Sequence, residues 1–310
     1  MQYYLYRLAQ IIASYLPRPF AYWVGLRLSE CFYLFKPASR RGIIANLRHV
    51  FACEGQVFAD HELRVLARES FHNFGKHVVE FFRFHRLTND QIKSMVTVRD
   101  GKKLDDLLQH GRGLIVVTAH FGSWEMGGGT LAAHGYRTSV VALVQPGAKL
   151  NALFQRQRMA RGLNVIPMGN AARACLEALR RNEIVALAGD RDFTANRSTV
   201  DFFDKPARLP HGPVRLAQVS GAPILPAFMV RNPGDTFCLF FGDPIWVKKR
   251  NPVAMQEGLD AVARQLEWAI RQYPTQWFIF NDFWDLQEDV EAQRRAFQAG
   301  VQTLRENQPH

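Results

Sequence analysis

The chain has 310 residues, of which 47% are hydrophobic and 12% aromatic, and a formal net charge of +11. That length and apolar fraction supply one large core and exclude a disordered or fibrous chain. The basic surplus points to anionic partners; with no zinc-finger spacing, RNP-type motif or basic helical run, phospholipid head groups or an acidic protein suit it better than nucleic acid. Four cysteines (Cys31, Cys53, Cys175, Cys238) lie far apart without a Cys-x-x-Cys. They read as small buried hydrophobes in a reducing compartment, not as a disulfide scaffold or a zinc site.

Two apolar, aromatic-rich stretches open the chain. Tyr3 to Leu16 repeats Leu5, Leu8, Ile12 and Tyr15 at helical spacing, Pro17-Arg18-Pro19 breaks it, and Phe20 to Phe35 follows with Arg27 and Glu30 inside. Neither reaches the ~20 uninterrupted apolar residues of a spanning helix, and no positive n-region or cleavage site marks a signal peptide. They are predicted to form membrane-interfacial amphipathic helices over residues 1–40, with packing on the domain as the alternative. A long helix is predicted from His61 to Phe84 and a short one from Leu104 to Gln109.

Strands and helices then alternate. Strands are predicted over Leu114 to Thr118, Ser139 to Val144, Val165 to Met168, Ile184 to Ala188, Thr199 to Phe203, Ile224 to Val230 and Phe237 to Phe241. Between them fall a Gly-rich helix from Trp124 to His134 and helices over Leu150 to Arg161, Ala171 to Arg181 and Pro213 to Ser220. The last helix starts at an Asn251 cap with Pro252 in its first position and stops at Pro274. The pattern predicts an α/β fold: a mixed, largely parallel central sheet flanked by helices, with ligands beyond the carboxyl ends of the strands. One domain over 41–285 carries it, and 286–310 is a polar tail.

At the end of the first long strand run stands Thr118-Ala119-His120-Phe121-Gly122-Ser123-Trp124-Glu125. A histidine delivered there, followed five residues on by a carboxylate at a helix start, suits acyl transfer to a hydroxyl. His120 can take the hydroxyl proton and Glu125 can orient the imidazole. The acceptor is the nucleophile, so Ser123, which lies in no G-x-S-x-G elbow, is not needed as one. Gly122 and Gly127-Gly128-Gly129 allow close approach, and the helix N-terminus offers N–H groups to an oxyanion. On their own, His120 and Glu125 could equally cap a helix and sit in its first turn.

This His-x4-Glu block resembles the signature of the glycerolipid acyltransferase superfamily, and the wider chain resembles its bacterial lipid A (lauroyl/myristoyl) acyltransferase branch. Arg41 to Phe51 is similar to the family's Arg/Asn-Leu/Phe block. Arg158 and Gly162 are similar to its Arg-x3-Gly pair, which implies that Arg158 holds an anionic substrate; a guanidinium suits phosphate because its donors are planar and bidentate. Gly189-Asp190-Arg191-Asp192, Val200-Asp201-Phe202-Phe203-Asp204 and Pro210-His211-Gly212 resemble the family stretch in which Asp-Gln or Asp-Arg-Asp ends a strand, followed by Phe-Phe-Gly and then Pro-x-Gly before a helix. The Asp-Arg-Asp form is closer to the phosphatidylinositol mannoside acyltransferases, Asp204 replaces a usual glycine, and Asn281-Asp282 replaces the usual His-Arg. Gly221-Ala222-Pro223 resembles a later block that reads as structural, and Tyr273-Pro274-Thr275-Gln276-Trp277 resembles the family's terminal Pro-x-x-Trp.

The resemblance implies a membrane-associated O-acyltransferase. An acyl carrier protein or CoA thioester is the donor and co-substrate, and a hydroxyl of an anionic glycolipid such as a lipid A precursor is the acceptor. A phosphatidylinositol mannoside or another lipid-linked sugar is the alternative acceptor. The expected substrate-binding residues are Arg158, Asp190, Arg191, Gly122 and Ser123, with an internal ion pair as the competing account of Asp190 and Arg191. No metal, no other cofactor and no nucleic acid are expected, and the place of work is the cytoplasmic face of the bacterial inner membrane. A non-catalytic peripheral lipid-binding protein is the alternative of another class.

Overall fold

The computed structural model describes residues 2–168, 171–191, 197–248 and 251–285, so Asp192 and the expected polar tail lie outside the described residues. Four helices come first: α1 (Gln2–Tyr15), α2 (Arg18–Phe35), α3 (Pro37–Cys53) and α4 (Asp60–Arg83). Both α1 and α2 pack on α4 through Ala13, Ala21 and Tyr22 against Val79, Phe81 and Phe82. Gly25 and Gly75 bring α2 and α4 close: a Cβ on Gly75 would stand 2.9 Å from the Gly25 carbonyl oxygen. Arg83 and Arg86 donate to the carbonyls of Leu16 and Ser14 at 2.6 and 2.9 Å, which satisfies the carboxyl end of α1. The outer face keeps Leu5, Leu8, Tyr15, Phe20, Trp23 and Leu28 exposed. The two helices are thus packed on the domain and still present an apolar surface. Among the described residues, no helix is long and apolar enough to cross a membrane.

The α/β part follows as α5 (Asn89–Met95), β1 (Val96–Val98), α6 (Lys102–Leu108), β2 (Leu114–Thr118), α7 (Trp124–Ala133), β3 (Thr138–Ala142), α8 (Ala148–Met159), β4 (Leu163–Pro167), α9 (Ala171–Arg180) and β5 (Ile184–Ala188). Then come β6 (Arg197–Phe202), β7 (Lys205–Pro210), α10 (Gly212–Ser220), β8 (Ile224–Arg231), β9 (Phe237–Phe241) and α11 (Pro252–Gln272). Among the described residues the main sheet has seven strands in the order β1-β9-β8-β2-β5-β3-β4. Every neighbouring pair is parallel except β8 and β9. The mixed, largely parallel sheet is therefore as expected.

Strand β2 shows why the sheet is buried on both faces. Ile115 and Val117 enter one apolar core with α9, α10 and α11, while Leu114 and Val116 enter another beneath α7. The side chain of Asn251 accepts from the Val253 amide at 2.9 Å and starts α11 as its sequence predicts. Two strands are additions to the predicted set. β1 has only three residues, and β7 contains two prolines, which an edge strand tolerates because its outer N–H groups need no partner.

β6 and β7 form a separate hairpin whose turn residues, Phe203 and Asp204, have φ of 53° and 56°. Two consecutive left-handed residues are the pattern of a type I′ turn, which favours Asn-Gly. Asp204→Gly should therefore raise stability by about 0.5 kcal/mol, read as a shift in the urea midpoint without a change in slope.

Candidate active site

Two neighbouring strands build the centre. β2 and β5 run parallel with Thr118 opposite Ala188. Two residues beyond that register pair, past each strand, lie His120 and Asp190. The Gly189 amide donates to the Thr118 carbonyl at 2.7 Å and carries the pairing past the strand ends. His120 Nδ1 lies 2.8 Å from Asp190 Oδ1, and the His120 amide donates to Oδ2 at 2.9 Å.

Trp277 adds a third donor, Nε1 to Asp190 Oδ2 at 3.1 Å. Burial by itself would raise the Asp190 pKa, but the His120 charge and these hydrogen bonds outweigh it and hold the carboxyl below its ordinary value. An ionised acceptor on Nδ1 fixes the tautomer: Nδ1 carries the proton and Nε2 keeps its lone pair. The His120 side chain is 25% exposed and lines a cavity of about 1200 Å³.

The expectation that Glu125 orients His120 is corrected here. Glu125, in the first turn of α7, accepts from Arg158 of α8 instead, at 3.1 and 3.0 Å from Nε and 2.6 Å from Nη2. Burial pulls the Arg158 guanidinium down, but the Glu125 charge and hydrogen bonds more than offset it and hold its pKa raised. A fork-on-carboxylate geometry of this kind is strong and directional. The physical reason for the exchange is reach. Asp190 comes from the adjacent strand and meets Nδ1 head-on, whereas Glu125 sits on the helix beyond the loop and turns toward α8. Arg156 and Arg161 share the helix-end block, but Arg158 is the one placed at the cavity wall.

Of the expected substrate-binding residues, Arg158 and Arg191 line the cavity together with His120 and Glu125. Asp190 lies behind His120, wholly buried. Gly122 and Ser123 are not brought to the wall. The Gly122 amide donates to the Gln276 carbonyl at 2.8 Å and the Ser123 amide to the Met229 carbonyl at 3.0 Å. Those two N–H groups are therefore committed to the fold and not to an oxyanion. Gly122 has φ +54°, and a Cβ there would stand 1.9 Å from the Met229 carbonyl oxygen, so the loop needs glycine for backbone reasons.

Ser123 is the N-cap residue of α7, yet its hydroxyl donates to Glu80 Oε2 at 2.9 Å. Glu80 is a buried hub: Tyr22 donates to its Oε1 at 2.7 Å, and Arg231 pairs with the same oxygen. Helices α2 and α4, strand β8 and the loop after His120 thus meet at one carboxylate. Burial, reinforced by Glu80, pushes the Tyr22 phenol well above its ordinary pKa and keeps it a donor.

Trp277 is a residue to which the sequence assigns no role beyond its place in the Pro-x-x-Trp block. Its segment pairs directly with the His120 loop, the Phe278 amide donating to the His120 carbonyl at 2.8 Å. The available signal was the Pro-x-x-Trp block itself, whose indole N–H must find a partner when buried. Much of the remaining cavity wall is apolar, although Gln145, His211, Arg215 and Gln218 also line it. Phe74, Phe81 and Phe154 line it on the side of the N-terminal helices, and Val116, Val140 and Ala186 line it on the sheet side. Such a slot accepts a hydrocarbon chain; Arg191 and Arg215 also line the cavity, and Arg158 stands there with its charge paired to Glu125.

A family model described as bacterial lipid A biosynthesis acyltransferase matches residues 1–285. The chain is 30% identical over 246 residues to a phosphatidylinositol mannoside acyltransferase of Mycobacterium tuberculosis (strain CDC 1551 / Oshkosh), covering 73% of each chain. It is 27% identical over 241 residues to a protein of the same description from Mycolicibacterium smegmatis, covering 74% of this chain and 75% of the other.

Proposed function

The protein belongs to the bacterial lipid A biosynthesis acyltransferase family and is an O-acyltransferase, and from that premise we propose that it moves a fatty acyl chain from a thioester to a hydroxyl of a mannosylated phosphoinositide or a similar lipid-linked sugar. The lipid A precursor, favoured from the sequence, yields to this acceptor. The descriptions of the relatives support it, and so does the Asp190-Arg191-Asp192 form of the sequence, while Asn281-Asp282, where the lipid A branch has His-Arg, weighs against the lipid A precursor.

The observation that carries the mechanism is the Asp190–His120 pair opening on an apolar cavity. His120 Nε2 takes the proton of the acceptor hydroxyl as its oxygen attacks the thioester carbonyl. The tetrahedral intermediate collapses, the C–S bond breaks, and His120 returns the proton to the thiolate. Asp190 holds the Nδ1 proton and stabilises the imidazolium between these steps. The acyl chain lies in the apolar slot, and Arg158, steadied by Glu125, sets the positive charge that meets an anionic head group or the phosphates of the donor. Acyl carrier protein and CoA both satisfy that charge. The exposed apolar side chains of α1 and α2 rest on the membrane surface at the cytoplasmic face, where donor and lipid meet.

The test uses purified protein with vesicles that contain either a phosphatidylinositol mannoside or a lipid A precursor, and palmitoyl-CoA or palmitoyl-acyl carrier protein. Mass spectrometry should find one acyl chain added to the mannoside by the native chain and none by His120→Ala. Acylation of the lipid A precursor alone would return the acceptor to the first reading. Equal transfer by His120→Ala would remove His120 as the base.

A further inference from the structure

A second histidine stands at this centre. His77, on α4, is 4% exposed. Its ring stacks on Trp124 with centroids 3.8 Å apart and planes at 26°. The same indole meets His120 edge-on, 5.4 Å away at 67°. All three side chains line the large cavity. His77 Nδ1 is fully buried and has no hydrogen-bond partner.

Folded proteins rarely leave such a group unpaired, because a buried donor or acceptor without a partner keeps its whole desolvation penalty. The surroundings do not explain it as a packing residue either, since a phenyl ring would stack on Trp124 without that penalty. Burial, with the charges of Arg231, His120 and Arg158 behind it, drives the His77 pKa down to about 3. The ring is thus a neutral imidazole at working pH, with one N–H and one lone pair to offer. It does not compete with His120 for a proton. The neighbouring loop amides of Gly122 and Ser123 are already committed to carbonyls, so they are not free to meet an oxygen of the reactants.

We propose that His77 is a second substrate-contacting histidine, which hydrogen-bonds an oxygen of the reactants beside the one that His120 deprotonates. The oxygen belongs to the thioester carbonyl or to an adjacent hydroxyl of the polyol acceptor. The inference rests on the acyl-transfer reading above, and the proton that moves in the reaction still moves through His120.

The experiment compares the native chain with His77→Phe and His77→Gln in the vesicle assay, with thermal unfolding of each. His77→Phe keeps the stacked ring and removes the orphan nitrogen. Its melting temperature should rise by about 2 °C, while its turnover falls roughly 10- to 100-fold. His77→Gln, which can still hydrogen-bond, should recover part of the turnover. A fall in kcat at constant acceptor KM assigns the contact to the thioester oxygen; a rise in acceptor KM at constant kcat assigns it to the acceptor hydroxyl.

A further readout is independent of turnover. As pH falls below about 6.5, the unfolded chain's imidazole takes a proton that buried His77 refuses, so acid destabilises the native chain, and His77→Phe should blunt that loss. Native kinetics in His77→Phe would overturn the proposal, leaving at most an ordered water at Nδ1. So would a joint loss of stability and activity in His77→Phe that His77→Gln does not relieve. If the native chain itself transfers no acyl group to any of the vesicle lipids, the acyl-transfer reading fails, and that failure is visible before any variant is compared.

Discussion

Asp190→Asn should lower kcat by about 10³–10⁴ while the fold and the acceptor KM change little. The substitution keeps the size of the side chain and the Trp277 contact can persist. What changes is the proton on His120. A carboxylate on Nδ1 demands an N–H there, whereas an amide can present its own N–H to that nitrogen and move the ring proton to Nε2. His120 then meets the acceptor hydroxyl with a donor in place of a lone pair. The imidazolium formed during transfer also loses the buried charge 2.8 Å away.

Single-turnover transfer of a radiolabelled acyl chain measures the chemical step directly. Glu125→Gln is the control, because Glu125 serves Arg158 and not His120. A loss in Glu125→Gln as deep as that in Asp190→Asn, without any change at Arg158, would give the orienting role back to Glu125.

Glu80→Ala should destabilise the protein by about 3–5 kcal/mol. The Arg231 side chain is 7% exposed and pairs with Glu80; its other carboxylate, Asp235, is 3.7 Å away and more open to solvent. Removing Glu80 strands a buried guanidinium, a buried phenol and the Ser123 hydroxyl together. Replacing both ions, as Glu80→Leu with Arg231→Met, should cost less than Glu80→Ala alone, since no uncompensated charge remains. Urea unfolding of the single and double variants measures this as a cycle. A Glu80→Ala midpoint within about 0.5 kcal/mol of native would mean that Arg231 is served well enough without it. The same substitution should also loosen the start of α7, because Ser123 and α2 are tied through this one side chain.

The strands around the site were legible because buried parallel strands are runs of β-branched and apolar residues bounded by turns. Ile184–Ala188 and Leu114–Thr118 both read that way, and the structure gives them the same limits. The hairpin was half legible. β6 reads as a strand, but Lys205–Pro210, with its two prolines, carries no predicted element, and its turn uses Phe203-Asp204 where a glycine would have signalled it.

The position of His120 could be read from one segment, since strand, loop and helix start are consecutive. Its partner could not. Asp190 lies 70 residues further on, and its nearness depends on which strand lies beside β2, a long-range choice that no local pattern records. Glu125 was the nearest carboxylate in sequence, and nearness in sequence was the wrong guide across a change from loop to helix. Trp277 and Glu80 were missed for the same reason: each acts on the site across an element boundary, from a segment whose own pattern reads as ordinary core.

The parallel pairing of β2 and β5 has a consequence for anyone who tries to transplant this chemistry. His120 and Asp190 are not held by a common loop; each is simply the second residue past a matched rung of one ladder. Grafting the His120–Glu125 segment onto another scaffold would carry the histidine and leave its counter-ion behind. A host must supply an adjacent parallel strand in the same frame, ending in Gly-Asp at the same height, because a slip of one residue would turn either side chain to the opposite face. The portable unit is therefore a pair of neighbouring strand ends, and the six-residue signature is only half of it.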